Sequence, residues 1–250
     1  MNISINNKIR FSSDFLKLLA IIMMAIDHAG YGLLYLYLTT TGLSLSPDEF
    51  NRLDSLYDVM NGVGRLAFPI FMFFIVEGFF HTGSRLKYAL RLFLFGLLSE
   101  IPFNLALYQK VLAPEHQNVM FSLCLSLLTI WAIDYIRKVP GLSDILTLIL
   151  ICCLTCASMQ LSQILLLDYK WHAILLVVVL YLLHDFAPVN LLAGGAVMSF
   201  EKYAPVSFLL LYLYDETIKP NKKLKYFFYI FYPAHLLLIY LIGCLLGLGL

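Results

Sequence analysis

The stretch Ala20–Gly32, AIIMMAIDHAGYG, is an apolar run interrupted by Asp27 and His28. An ionisable pair inside a lipid-crossing segment costs several kcal/mol unless partners compensate it, so such residues mark function by default. An imidazole held away from water can take a proton from an attacking group or attack a carbonyl itself. A second concentration of such groups lies in NGVGRLAFPIFMFFIVEGFFHTGSRLKYALRLFLFGLLSEIPFN, which holds Arg65, Glu77, His81, Arg85, Lys87, Arg91 and Glu100. Asp14 and Lys17 precede the first run, and His235 stands in FYPAHLLL near the other end. Lys17 and His28 are eleven residues apart, which at about 100° per residue returns them to one helix face. Glu77 and His81, four apart, also share a face. Each group has a plainer reading: Lys17, His81 and Arg91 are close enough to a membrane boundary to snorkel, and Glu77 and Glu100 can serve as counter-ions for arginines.

The elements that position these groups follow from composition. The 250 residues are 61% hydrophobic and 13% charged, against about 25% charged in an ordinary soluble domain. Too few polar side chains are available to cover a water-facing surface, so the fold class is all-α, a polytopic transmembrane helix bundle forming one domain over residues 1–250. The net charge of +1 gives no bulk attraction to nucleic acid. A bilayer core takes roughly 20 apolar residues per helix, which places spans near 13–38, 61–82, 86–108, 119–137, 142–166, 172–186, 187–200, 203–217 and 226–248. That is about nine spans, with eight to ten allowed because the pieces around Pro188 are short enough to form one broken helix or a re-entrant pair. The first apolar stretch is too long for a cleaved signal and has no small-residue cleavage site, so it is expected to stay as span one. The cysteines, including Cys153-Leu-Thr-Cys156, lie in apolar segments and read as buried small hydrophobes.

Basic residues orient the bundle. With the N-terminus cytoplasmic, inner loops and helix ends hold Lys8, Arg10, Arg85, Lys87, Arg91, Arg137, Lys138, Lys219, Lys222, Lys223 and Lys225, while outer loops hold Arg52, Lys110, Lys170 and Lys202. The buried charges then sort by depth at about 1.5 Å per residue. Asp14, Lys17, Glu77, His81 and Arg91 form an inner layer. Asp27, His28, Arg65 and Glu100 form an outer one, with Asn104 and Asn118 at its rim and His235 near mid-depth. Asp27 is expected to pair with Arg65, and Glu100 or His235 to orient His28. On the outer side, Ser46-Pro-Asp-Glu49 is a capping-box signature followed by Phe50, Leu53, Tyr57 and Met60 at helical spacing, which predicts a short amphipathic helix on that face.

IDHAG, GRLAFPIFMFFIVEGFFHTGSRLKYALRL, SEIPFNLA, NVMFSL and FYIFYPAHLLLIYL resemble the TraX family of bacterial inner-membrane proteins, whose name-giving member acetylates the N-terminal amine of conjugative pilin. Lys17, ten residues, then His28 is also similar to the first helix of membrane acyltransferases that decorate cell-surface sugars. These resemblances imply a multi-pass protein of the bacterial cytoplasmic membrane that moves an acetyl group from acetyl-CoA to an amine or hydroxyl. The acceptor would be an exported peptide, a pilin, or an envelope sugar or lipid. His28 would act as base or transient acetyl carrier, with Asp27, Arg65, Glu100 and His235 around it. Lys17, Arg85, Lys87, Arg91, Glu77 and His81 would receive coenzyme A from the cytoplasm, and no metal is expected. A proton-coupled transporter using the same Asp/Glu/His cluster is the principal alternative, and a non-catalytic assembly factor a third.

Overall fold

A computed structural model describes residues 10–221 and 223–248, so Lys8 and Lys222 of the basic-residue tally lie outside the described residues. The described chain is helical, with isolated bridges at Phe11–Tyr214 and Gln117–Leu167. Its helices are α1 (Ser13–Ala29), α2 (Leu36–Thr41), α3 (Pro47–Gly64), α4 (Ala67–His81), α5 (Arg85–Tyr108), α6 (Val119–Arg137), α7 (Asp144–Ile164), α8 (Lys170–Leu182), α9 (Val189–Val197), α10 (Ser207–Leu211) and α11 (Leu224–Leu245). Local chemistry sets several of the starts. Ser12, Ser84, Asn118 and Ser143 each accept a main-chain N–H from the first turn of the helix they precede, satisfying a donor that the helix itself leaves free.

Among the described residues six helical stretches are long and apolar enough to cross a membrane: Ser13–Ser44, Pro47–His81, α5, α6, α7 and α11. This makes the chain a multi-pass membrane protein by length and composition. The expected spans at 172–186, 187–200 and 203–217 are corrected by the structure. They become α8, α9 and α10, of 13, 9 and 5 residues, because Pro188 and Pro205 break the apolar run before any piece reaches spanning length. The expected span at 61–82 is also divided. The Ser46 capping box forms as the spacing predicts, but α3 runs for 18 residues and ends in a turn at Arg65–Leu66, where α4 begins. Pro69 then falls in the first turn of α4, where a missing N–H costs nothing. Instead of a short separate helix, α3 is a return limb packed against α1 and the segment that follows it.

The core is built around α4, which is buried along most of its length and meets α1, α6, α8 and α10. α7 is peripheral. Cys152, Cys153 and Cys156 on it are exposed rather than buried, as is Cys244, and only Cys124 lies inside. An apolar side chain on an outer helix facing lipid needs no protein neighbours.

Two glycines fix how closely other helices approach α1. After Ala29 the helix widens into a π-helical turn, Gly30–Tyr35, before resuming as α2. Such turns insert one extra residue and recur at functional sites. Within it, a Cβ on Gly32 would lie 2.7 Å from the Ala106 carbonyl oxygen of α5 and 2.8 Å from Ile239 of α11. At the end of α3, a Cβ on Gly64 would overlap the side chain of Asp27. Both contacts meet backbone or short, stiff atoms that cannot swing away. Overpacking of this kind costs about 1–3 kcal/mol, and a chain of this size loses roughly 2–4 °C of midpoint per kcal/mol. Gly64→Val is therefore expected to lower the thermal midpoint in detergent by several degrees. Gly83→Ala, with nothing within 4 Å, should leave it within about a degree; equal melting of the two variants would show that the α3–α1 approach is not tight.

Candidate functional site

α1 and α11 bring two histidines together across 207 residues of sequence. His28 Nδ1 lies 2.7 Å from His235 Nε2, with the ring planes within 10° of parallel. The second nitrogen of His235, Nδ1, lies 2.8 Å from the Phe231 carbonyl oxygen one turn earlier. A carbonyl can only accept, so His235 Nδ1 carries the proton and its Nε2 is left with a lone pair. His28 Nδ1–H must then donate to that lone pair, and His28 Nε2 becomes the basic nitrogen of the pair. His235 is buried and His28 partly so. The Phe231 ring lies nearly parallel to His235 at 4.9 Å, and the Tyr232 ring stands edge-on to His28 at 6.1 Å.

A cavity of about 620 Å³ leads toward this pair between α1, α4, α5, α6 and α11. Asp14, Lys17, His81, Arg91 and Lys225 line it at one end of the bundle; Met24, Met120 and Tyr232 line it deeper in. Two helical stripes form part of its wall. On α1 the cavity-lining residues are Lys17, Ile21 and Met24, and continuing the same face by one turn reaches His28. On α11 they are Lys225, Tyr229 and Tyr232, and the next residue on that face is His235. The histidine pair thus lies just past the deep end, about 16 Å along α1 from Lys17 at 1.5 Å per residue. The cations at the mouth are held by aromatic rings: Lys17 Nζ lies 4.6 Å from the Phe74 centroid, and the Arg91 guanidinium lies 5.8 Å from Tyr88 and 6.0 Å from Tyr229. Arg91 Nε is buried with no hydrogen-bond partner among the described residues.

The structure does not bring every expected residue to this site. Arg85 turns to Asp134, 2.6 Å away, and lies over the Phe79 ring. Lys87 is exposed and does not line the cavity. Glu77 points away from it, buried against His184 at 2.9 Å and the Tyr214 hydroxyl at 3.3 Å. A buried carboxylate needs donors, and the segments after α8 and after α10 supply them. Of the residues expected to receive coenzyme A, Lys17, Arg91 and His81 line the cavity, joined by Lys225 and Asn221, which the sequence pattern did not single out. His81 donates from Nδ1 to the Glu77 carbonyl oxygen at 2.8 Å. The donor atoms of Glu77, His81 and Glu216 lie within 4.8 Å of one another. Glu77 is already engaged by two donors and the other two residues are exposed, so this grouping reads as a polar rim.

Of the two residues expected to orient His28, His235 lies against it. Glu100 does not: it accepts from Asn118 Nδ2 at 2.6 Å and Asn104 Nδ2 at 3.3 Å, and Asn118 is the residue that caps α6. Asp27 and Arg65 are not directly paired either. Asn61 Nδ2 donates to Asp27 Oδ1 at 3.2 Å, Arg65 Nε donates to Asn61 Oδ1 at 3.3 Å, and Arg65 Nη1 lies 3.5 Å from Glu201. Asn61 and Glu201 were not among the expected residues. Asn61 lies four residues before Arg65 on α3, a spacing readable in the sequence; Glu201 comes from a distant loop and has no such signal.

The chain matches the TraX protein family over residues 12–243. It is 32% identical over 133 residues to a probable fimbrial assembly protein FimC, serogroup H1, of Dichelobacter nodosus, a match covering 50% of this chain and 48% of that protein. The chain thus spans about half the length of this curated relative. No solved structure matches it. Since the family match runs from before α1 to within α11 and takes in both histidines and the whole cavity wall, the chain belongs to the TraX protein family.

Proposed function

We propose that this protein is an acetyltransferase of the bacterial cytoplasmic membrane, taking acetyl-CoA through the cavity and passing the acetyl group to an acceptor at His28. The observation that carries this reading is a pair of hydrogen-bonded imidazoles beyond the deep end of a cavity whose mouth is cationic. Lys17, Arg91 and Lys225 suit the phosphates of coenzyme A. Arg91 Nε, buried without a partner, is the donor an anion would satisfy. The apolar stretch along Ile21, Met24 and Tyr229 suits the pantetheine arm, and its length delivers the thioester to the histidine pair.

Chemistry follows from the tautomers. His28 Nε2 removes the proton from the acceptor amine or hydroxyl as that group attacks the thioester carbonyl. The carbon–sulfur bond breaks, and the proton held by His28 passes to the departing coenzyme A thiolate. His235 Nε2 accepts from His28 Nδ1 throughout, so it fixes the ring and supports the imidazolium while the proton is carried. A transient acetyl on His28 Nε2 is the two-step form of the same transfer. Asp27, adjacent to His28 on α1, and the Asn61, Arg65 and Glu201 side chains joined to it would form the approach for the acceptor. Family membership and the similarity to a probable fimbrial assembly protein relate the chain to pilin or fimbrial assembly, which favours an exported peptide or pilin as acceptor over an envelope sugar or lipid.

Labelled acetyl-CoA supplied to membranes containing the protein is expected to label an acceptor, and His28→Gln to lower that transfer by about 10²–10⁴-fold while coenzyme A still binds. A proton-coupled transporter would neither bind nor consume acetyl-CoA, and a non-catalytic assembly factor would tolerate His28→Gln; either outcome rejects the proposal. A second expectation concerns the mouth. Lys17→Ala and Arg91→Ala should each raise KM for acetyl-CoA by roughly tenfold or more, since a hydrogen bond to a charged group contributes about 1.5–3 kcal/mol, with kcat largely kept. Arg85→Ala and Lys87→Ala should leave KM within about twofold, within the small effect typical of surface substitutions. Titration with acetyl-CoA reads both.

A further inference from the structure

The deep end of the cavity holds one polar group that neither the histidine relay nor the cationic mouth uses. Tyr232 is only 3% exposed, yet its hydroxyl has no hydrogen-bond partner among the described residues. Buried hydroxyls are normally partnered, and an exception calls for a reason. The ring lines the cavity and stands 6.1 Å from His28 and 5.6 Å from His235, centroid to centroid. The hydroxyl lies at the start of α6, where the Val119 main-chain N–H faces it. Val119 and Met120, the first two residues of that 19-residue helix, also line the cavity. Asn118 accepts the Met120 N–H at 3.1 Å, so the cap leaves the Val119 N–H free for the cavity side. The amino end of a helix carries a partial positive charge and unpaired N–H groups.

Resting on the acetyl-transfer reading, we infer that the Tyr232 hydroxyl, backed by the α6 amino terminus, binds the thioester oxygen and stabilises the oxyanion formed when the acceptor attacks. The Val119 N–H faces the tyrosine oxygen without bonding it, and the O–H proton has no acceptor among the described residues, so it is free to donate to a bound group. Negative charge developing on the former carbonyl oxygen strengthens that donation, and the helix end favours it. When the tetrahedral adduct collapses, the electron pair returns to the carbonyl, the carbon–sulfur bond breaks, and Tyr232 keeps its proton. Nothing is consumed at the tyrosine, so the overall balance remains acetyl-CoA plus acceptor giving acetylated acceptor plus coenzyme A. The base, His28 Nε2, and the oxyanion donor would then come from two helices that meet at this point, α1 and α11, with their rings 6.1 Å apart.

Tyr232→Phe keeps the ring and removes only the donor. Transfer from labelled acetyl-CoA by the full-length protein in membranes is expected to fall by about 10²–10³-fold in kcat, with KM for acetyl-CoA within about threefold and an unchanged thermal midpoint. 3-Fluorotyrosine at position 232, which retains a donor, should keep most of the rate and rule out mere loss of packing. Full activity of Tyr232→Phe, or a rise in KM with kcat kept, overturns the inference. His28→Gln measured in parallel separates the two levels. If it abolishes transfer while Tyr232→Phe is silent, only the oxyanion role fails; if both are silent, the reading that places transfer at His28 fails with it, and if the wild-type protein transfers no label, acetyl transfer itself fails.

Discussion

Carrying imidazoles into a hydrocarbon interior is tolerable when they arrive as a hydrogen-bonded chain with no net charge. The chain from His28 through His235 to the Phe231 carbonyl oxygen has that form, because each ring donates once along it and the last acceptor is a main-chain oxygen. A buried charge without a partner costs far more than a buried neutral group whose bonds are made. Much of the surrounding structure can be understood as what this chain demands. The Phe231 carbonyl belongs to the α11 turn preceding Pro233, and a proline there has no N–H with which to bind the carbonyls of the turn before it. Pro233 thus leaves the Tyr229 carbonyl without its helical N–H, while the His235 ring bonds the Phe231 carbonyl, four residues before it on the same helix.

Bringing α11 this close to α1 is a packing problem, and the solution lies one turn beyond the histidines. Gly32 lets the backbone of α5 and the side chain of Ile239 press against the π-helical turn. Ile239 is one helical turn past His235, just as Gly32 is one turn past His28, so the glycine contact and the histidine contact are successive rungs of one helix–helix seam. Small residues at such seams are how helices pack closely in lipid, where no hydrophobic effect drives them together. On the other side of α1, Gly64 performs the same service for Asp27, and the carboxylate that gains this close neighbour also gains the Asn61 amide.

Much of this is legible in the sequence, and what is not has two causes. Periodicity located α1, α5, α6, α7 and α11 because their apolar runs are long and bounded by caps. The shared face of Lys17 and His28 followed from spacing within one helix, and the cavity wall follows it. The pairing of charges did not, because pairing depends on which helices touch. Arg85 and Asp134 come from α5 and α6; Glu77 and His184 from α4 and the end of α8; Arg65 and Glu201 from the α3–α4 turn and a loop after α9. Depth alone made Arg65 the natural partner for Asp27, and the structure interposes Asn61. Region 172–217 was misjudged for another reason. Mean hydropathy there is high, but proline and glycine set element length independently of hydropathy.

The distribution of polar groups along the bundle also bears on what kind of machine this is. A transporter must open the same site alternately to both sides, which calls for polar lining that can be hydrated from each. Here the polar groups are divided. The cavity enters from the end marked by Lys17, Arg91 and Lys225, passes Ile21, Met24 and Leu123, and stops short of the histidine pair. Next to His28, a separate line of contacts runs from Asp27 through Asn61 and Arg65 to Glu201. One end thus suits a large anionic ligand and the other a polar one, with His28, His235 and the Tyr232 hydroxyl among the groups between them that can exchange a proton. A two-substrate transfer needs that asymmetry, since the donor and the acceptor are different molecules arriving from different directions. Moving one solute through a single site does not, and this difference in what lines the two ends is the physical ground for preferring group transfer to transport.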